Sequence, residues 1–120
     1  MTRDSAKKRA VIAYVKYAEH GYPEPDSIRS FHDAELASDL LAVSGMLEKL
    51  DREGKGYISA AVRDVYMFAN SSSRKCITSE RVVAHAMTAY ADERTVWRWL
   101  RRAKELFAEL RADAESPWYR

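Results

Sequence analysis

Apolar residues recur along this chain at intervals of three and four, the spacing of a helix that buries one face. The clearest stripe consists of Leu36, Leu40, Val43, Leu47 and Leu50. Gly, Pro and Ser-rich breaks divide the pattern into segments. The predicted helical segments are Ser5–His20, Asp33–Asp51, Ser59–Ala69 and Ser79–Asp113, the last holding two helices. No segment alternates as a half-buried strand does, so the sequence predicts an all-α fold.

Three stretches between and after these segments are predicted to be non-helical. Tyr22–Asp26 holds two prolines, which fix φ and disfavour helix at the preceding residues. Residues 70–75 form a polar loop, and Glu115–Arg120 is a short aromatic tail. The chain is therefore predicted to have an N-terminal helical region over residues 1–73 and a second region with the tail over residues 74–120.

The stretch Val82–Ala103 has the pattern of a helix-turn-helix. Its first helix carries Ala86 where two helices must approach closely, and its long second helix opens on Glu93 after a short turn over Tyr90–Asp92. Such turns usually hold glycine where this chain has Tyr90. Because tyrosine tolerates a left-handed φ poorly, the sequence predicts a longer turn than usual.

The outer face of this second helix is positively charged. Its basic residues are Arg94, Arg98, Arg101, Arg102 and Lys104, with no acidic residue between the first and the last. A helix face whose charges are all positive, placed behind a tight turn, is typical of proteins that read the DNA major groove. The alternative interpretation is an amphipathic helix whose arginines are only solvated.

Roles on this helix follow from position. Asp92 is predicted to be the N-cap, and Arg94 and Arg98, one turn apart, are predicted to make bidentate contacts to guanine. The phosphate contacts are assigned to Arg101, Arg102 and Lys104, and the outward N-terminal turns also carry Glu93 and Trp97. Trp97 and Trp99 are two residues apart, so both cannot lie on one stripe of the helix. Trp99 is the better core candidate because it is next to Leu100 and one turn before Ala103.

Composition describes one ordered domain: 120 residues, 47% hydrophobic, 32% charged, with a formal net charge of +2. The overall charge is nearly neutral, so the clustering of basic residues from Arg94 onward is more informative. The single cysteine, Cys76, excludes an internal disulfide and suits a reducing cytoplasm. No apolar run could span a membrane and no signal-peptide core is present, so we expect a cytoplasmic protein.

Metal and catalytic chemistry are not indicated. Residues 51–62 resemble a calcium loop, but the fifth position is Lys55 and the twelfth is Val62 in place of glutamate. The three histidines and Cys76 have no ligand-like spacing, and His85 is expected at the surface or half-buried. No nucleophile motif or phosphate loop occurs. We therefore expect no metal, no cofactor and no enzymatic activity.

The order of three segments resembles the phage late-gene antitermination protein Q family, in its shorter branch. Tyr14–Tyr17 followed by Gly21–Pro23 is similar to that family's aromatic N-terminal helix and turn. Asp33–Glu35, which opens the leucine-striped helix, is similar to its central segment. Thr95-Val96 and Leu100–Ala103 resemble its closing helix-turn-helix, which is itself similar to the promoter-reading module of sigma factors.

The resemblance implies a bacteriophage factor, acting in the bacterial host cell, that binds double-stranded DNA near a late promoter. It would load onto paused host RNA polymerase with its sigma factor and allow transcription through terminators. By elimination, the N-terminal helix, Tyr22–Phe31 and the aromatic tail are the candidate polymerase contacts. Two alternatives stay open: a repressor or activator that binds DNA as a homodimer, and an interaction protein that inhibits a host factor without binding DNA.

Overall fold

Six helices make up the described part of the chain, which is residues 2–67 and 78–113 of a computed structural model. Their bounds are α1 Arg3–Glu19, α2 Pro25–Arg29, α3 Ala34–Arg52, α4 Gly56–Tyr66, α5 Thr78–Ala89 and α6 Glu93–Asp113. No strand occurs within these described ranges. The predicted all-α fold is therefore confirmed.

The predicted helices form with small differences at their ends. Side chains cap α1 and α3: Thr2 accepts from the Ser5 N–H at 3.1 Å, and Asp33 accepts from the Leu36 N–H at 3.1 Å. The third predicted helix begins at Gly56, three residues before the predicted Ser59. Its predicted end at Ala69, the loop over residues 70–75 and the aromatic tail lie outside the described residues.

The expectation that Tyr22–Asp26 is wholly non-helical was wrong at its end. The chain begins the five-residue helix α2 at Pro25, directly after Glu24. A proline is suited to the first helical position because the amide hydrogen it lacks would have no partner within the helix there. Pro25 is thus compatible with the start of α2 and does not prevent this helix from forming.

The centre of the molecule is the packing of α1 and α3 against α6. Tyr14 of α1 is completely buried there, and its ring meets Phe107 edge-on at 6.0 Å and Tyr66 at 5.6 Å. Its hydroxyl donates to the Met46 sulfur at 3.6 Å. Burial raises the pKa of the Tyr14 phenol far above its usual value, so the hydroxyl stays protonated.

One continuous hydrophobic core includes residues from every helix, from Ala10 in α1 to Phe107 in α6. The predicted leucine stripe is confirmed, because Leu40, Val43, Leu47 and Leu50 are buried and Leu36 packs at the edge. Helices α4 and α5 pack against α6 and against each other. The predicted regions 1–73 and 74–120 therefore share a single core, and α6 lies at its centre.

Candidate nucleic-acid interface

Helices α5 and α6 are joined by a three-residue turn, Tyr90–Asp92. Tyr90 has a left-handed φ of 55°, and the N–H of Ala91 donates to the carbonyl of Ala86 at 3.0 Å. This is the bond that closes a helix when the residue after its end is left-handed. The expectation of a longer turn was therefore wrong: Tyr90 adopts the conformation that usually favours glycine.

Asp92 caps α6, as the sequence predicts. Its carboxylate accepts from the Thr95 N–H at 2.8 Å and thus satisfies one of the unpaired amides of the first turn. This bond, a second bond from the Thr95 side chain, and the nearby charges of Arg94 and Arg98 lower the pKa of Asp92. The carboxylate is ionised at neutral pH and fixes where α6 begins.

The cationic face of α6 consists of Arg94, Arg98, Arg101 and Arg102, all of which are exposed. At 3.6 residues per turn, the side chains of Arg94, Arg98 and Arg101 lie within an arc of about 60° around the helix axis. Among the described residues, no salt bridge neutralises these three. Arg102 lies 4.0 Å from Glu105, an exposed contact that solvent weakens. The face therefore presents several positive charges in one direction.

Lys104 does not stand out from the helix as these arginines do. Its ammonium lies 5.6 Å from the centre of the Tyr66 ring, over the ring face. The side chain is only partly exposed, and this burial lowers the pKa of Lys104. The phosphate contact predicted for Lys104 would require its side chain to leave the Tyr66 ring.

The two tryptophans of α6 point in different directions. Trp99 packs against the core, with its ring edge-on to Tyr57 at 5.1 Å and to His85 at 6.4 Å. Trp97 keeps 39% of its surface exposed beside the cationic face. The predicted choice of Trp99 for the core is confirmed. Glu93 is exposed in the first turn, next to the Asp92 cap.

His85 is buried, with 6% of its surface exposed, so the expectation of a surface or half-buried position was wrong. Its Nδ1 lies within hydrogen-bond distance, 2.6 Å, of the Asp64 carboxylate in α4. The pair borders a groove of about 230 Å³ and ties α5 to α4 beneath Trp99. No spacing in the sequence pairs residues 21 positions apart, so sequence reasoning did not find Asp64.

Residues 2–67 and 78–113 contain neither a candidate metal-binding cluster nor a membrane-spanning helix. No group of three or more His, Cys, Asp or Glu side chains in these ranges could hold a metal ion. None of the helices described there is both long and apolar enough to cross a bilayer. The cationic face is accordingly the candidate site that we pursue.

Comparison of the chain with protein-family models, with curated proteins and with solved structures gives no match in any of the three. Function is therefore inferred from the residues and their geometry, together with the family resemblance described above.

Proposed function

We propose that this protein binds double-stranded DNA through the N-terminal half of α6 and regulates transcription as a phage antitermination factor. The observation that carries the DNA-binding proposal is the cationic face, which is exposed directly after a short, capped turn. Phosphates attract such a face, and arginine forks match the guanine edge in the major groove.

The packing beneath the cationic face holds it outward. Val96, Leu100 and Ala103, on the opposite side of α6, are buried in the core. A helix anchored on these residues cannot rotate about its axis without exposing them to water. The arginines thus have a fixed direction, as readout of base edges requires. Rotational anchoring distinguishes this surface from a mobile basic tail.

The antitermination part of the proposal is supported by the family resemblance. It requires a second surface for RNA polymerase, and α1 offers a candidate. Ile12 is 60% exposed and borders an apolar groove with Val11 and Val15. Tyr22, in the segment that follows α1, is 45% exposed. Exposed apolar residues of this kind are typical of protein contacts.

A terminator-bypass transcription assay tests the proposal. Purified host RNA polymerase with sigma factor would transcribe a phage late-promoter template, with and without the protein. We expect read-through that depends on a promoter-proximal DNA element and falls in the Arg98→Ala variant. DNA binding without read-through would contradict antitermination alone. Absence of salt-sensitive DNA binding would contradict the whole proposal and favour the interaction-protein alternative.

A specific observation also favours the dimeric repressor or activator. Val83 and Met87, one turn apart on α5, are 38% and 74% exposed. An apolar strip on this helix could form a two-fold interface that places two copies of α6 on neighbouring half-sites. Sedimentation analysis of the wild type and of Met87→Glu tests this alternative. A monomeric wild type would exclude it.

A further inference from the structure

Two tyrosines of this protein have the same left-handed backbone conformation. Tyr22 and Tyr90 each have a φ of 55° and each follow the end of a helix. A bulky side chain is a genuine outlier at such an angle, because its Cβ crowds the following carbonyl. Each tyrosine therefore stores strain that a glycine at the same position would not.

At Tyr22 the side chain compensates for this strain. Its hydroxyl donates to the carbonyl of Met67 at 3.0 Å, and its ring meets Tyr17 edge-on at 5.7 Å. These contacts join the turn after α1 to the end of α4. The ring of Tyr22 is thus part of what holds the fold together.

At Tyr90 no such compensation exists among the described residues. The side chain is 98% exposed and makes no hydrogen bond or ring contact with any of them. The turn is closed by the backbone bond from Ala91 to Ala86, which needs no side chain at position 90. None of the described residues makes a contact with this ring that offsets the strain, and a strained position that the fold does not use is a candidate for function.

The charge around Tyr90 indicates which ligand this is. Tyr90 lies two residues before Asp92, so their Cα atoms are at most about 7 Å apart. Arg94 and Arg98 act electrostatically on the same Asp92 carboxylate. A polyanion held by these arginines would therefore pass close to the turn that carries Tyr90, and Trp97, which is 39% exposed, lies in the same N-terminal part of α6.

Aromatic rings next to cations are the surfaces on which unpaired bases stack. In a duplex each base face is covered by its neighbours, so a fully exposed ring finds an open base face only where pairing is interrupted. We infer that Tyr90 stacks on an unpaired base next to the duplex held by α6, so that the preferred ligand is duplex DNA bordering a single-stranded segment. This inference rests on the proposed DNA binding.

The experiment compares three variants on two matched DNAs. Wild type, Tyr90→Phe and Tyr90→Gly would be titrated by fluorescence anisotropy against a full duplex and the same duplex with a short unpaired bubble. We expect wild type and Tyr90→Phe to bind the bubble about tenfold more tightly, and Tyr90→Gly to bind both alike. A 2-aminopurine base in the bubble should change its fluorescence only when a ring is present at position 90.

Folding of the variants is controlled by thermal unfolding. Tyr90→Gly should melt at or above the wild-type temperature, because glycine adopts a φ of 55° without strain. Thr88→Ala serves as the matched exposed control on α5, because the Thr88 hydroxyl donates to the Ala84 carbonyl of its own helix, and it should keep the bubble preference. Arg98→Ala should weaken binding to both DNAs and keep their ratio.

The outcomes separate this inference from the proposed function. Equal wild-type affinity for duplex and bubble overturns the role of Tyr90 and leaves duplex binding standing. Binding to neither DNA overturns both. If Tyr90→Gly keeps the bubble preference and instead loses self-association, Tyr90 belongs with Val83 and Met87 to a protein contact, and the stacking inference is wrong.

Discussion

The two halves of α6 use the same kind of residue in opposite ways. In the first half, Glu93–Lys104, Arg98 and its neighbouring arginines are exposed. In the second half, Glu105–Asp113, the helix passes between α1 and α3, and Phe107 and Arg111 are completely buried. One continuous helix therefore presents exposed arginines at its beginning and buries an arginine in the core at its end.

The buried arginine is held by an ion pair between helices. Arg111 Nε donates to the Asp39 carboxylate of α3 at 2.7 Å, and Arg9 Nη2 of α1 donates to the same carboxylate at 2.6 Å. The bond to Asp39 raises the pKa of Arg9. A buried charge is tolerated only when it is paired. An arginine of this helix is thus exposed or held in a buried ion pair, depending on what packs around it.

Removing the buried arginine should have the largest effect on stability. Arg111→Met leaves the buried Asp39 carboxylate with the partly exposed Arg9 as its one remaining basic partner among the described residues. Leaving a buried charge uncompensated costs about 3–5 kcal/mol, so this figure is the upper bound for a variant in which Arg9 still pairs with Asp39. Urea unfolding followed by circular dichroism would measure this loss.

The matched control for that experiment lies in the first half of the same helix. Arg101→Ala removes an exposed arginine and should change the free energy of unfolding by no more than about 0.5 kcal/mol. The double variant Asp39→Leu with Arg111→Met should recover part of the loss, because no buried carboxylate remains. Equal destabilisation by Arg111→Met and Arg101→Ala would show that the two halves do not differ as described.

The exposed half should give the reverse result: reduced DNA binding with unchanged stability. Arg94→Ala or Arg98→Ala should cost on the order of 1–3 kcal/mol on the specific site and relax the preference at one base pair. Anisotropy titrations on the specific DNA and on single-base variants would measure both effects. Intact site-specific affinity in both variants would mean that a different face of α6 meets the bases.

Local sequence signals were sufficient for most of this fold. The three- and four-residue spacing from Leu36 to Leu50 identified the buried face of α3, and the predicted cap Asp92 marked the start of α6. The exposure of Arg94 and Arg98 follows from the same periodicity, since they lie opposite the apolar stripe. These features depend only on neighbours along one helix.

Features that depend on distant parts of the chain were not predicted. Arg111 lies seven residues after Lys104 on the same helix, and the packing of α1 and α3 against α6 buries it against Asp39. His85 is buried because Asp64 of α4 reaches it. Tyr90 adopts a conformation that residue preference alone argues against. In each case tertiary packing, or the backbone hydrogen bond that closes the turn, overrides the local preference. The spacing of apolar residues along the chain predicts neither of these effects.

A smaller effect separates Arg101 from Lys104 within the first half. Arg101→Ala should weaken binding to every DNA alike and reduce the slope of log K against log salt by about 1. Lys104→Ala should change this slope less, because its ammonium already lies over the Tyr66 ring. Binding isotherms at several salt concentrations would measure both slopes. Equal reductions would show that Lys104 leaves Tyr66 and contacts phosphate.

The smallest effect concerns the cap from which the exposed half begins. Bonding to Thr95 lowers the pKa of Asp92 below its ordinary value of 3.8. The stabilisation it gives is therefore complete above that value and is lost as pH falls through the folded pKa. Asp92→Ala should melt below the wild type at pH 7, and this difference in melting temperature should narrow as the pH falls below 3.8.

Asp92→Asn supplies the control, because its amide oxygen caps the helix without titrating. The difference in melting temperature between Asp92→Asn and Asp92→Ala should stay constant with pH. The melting temperature of the wild type should instead approach that of Asp92→Ala as the pH falls. If the difference in melting temperature between the wild type and Asp92→Ala persists unchanged in acid, the charge of the Asp92 carboxylate contributes nothing to the cap. In that case the neutral carboxyl would cap α6 by accepting from the Thr95 N–H, as the amide oxygen of Asp92→Asn does.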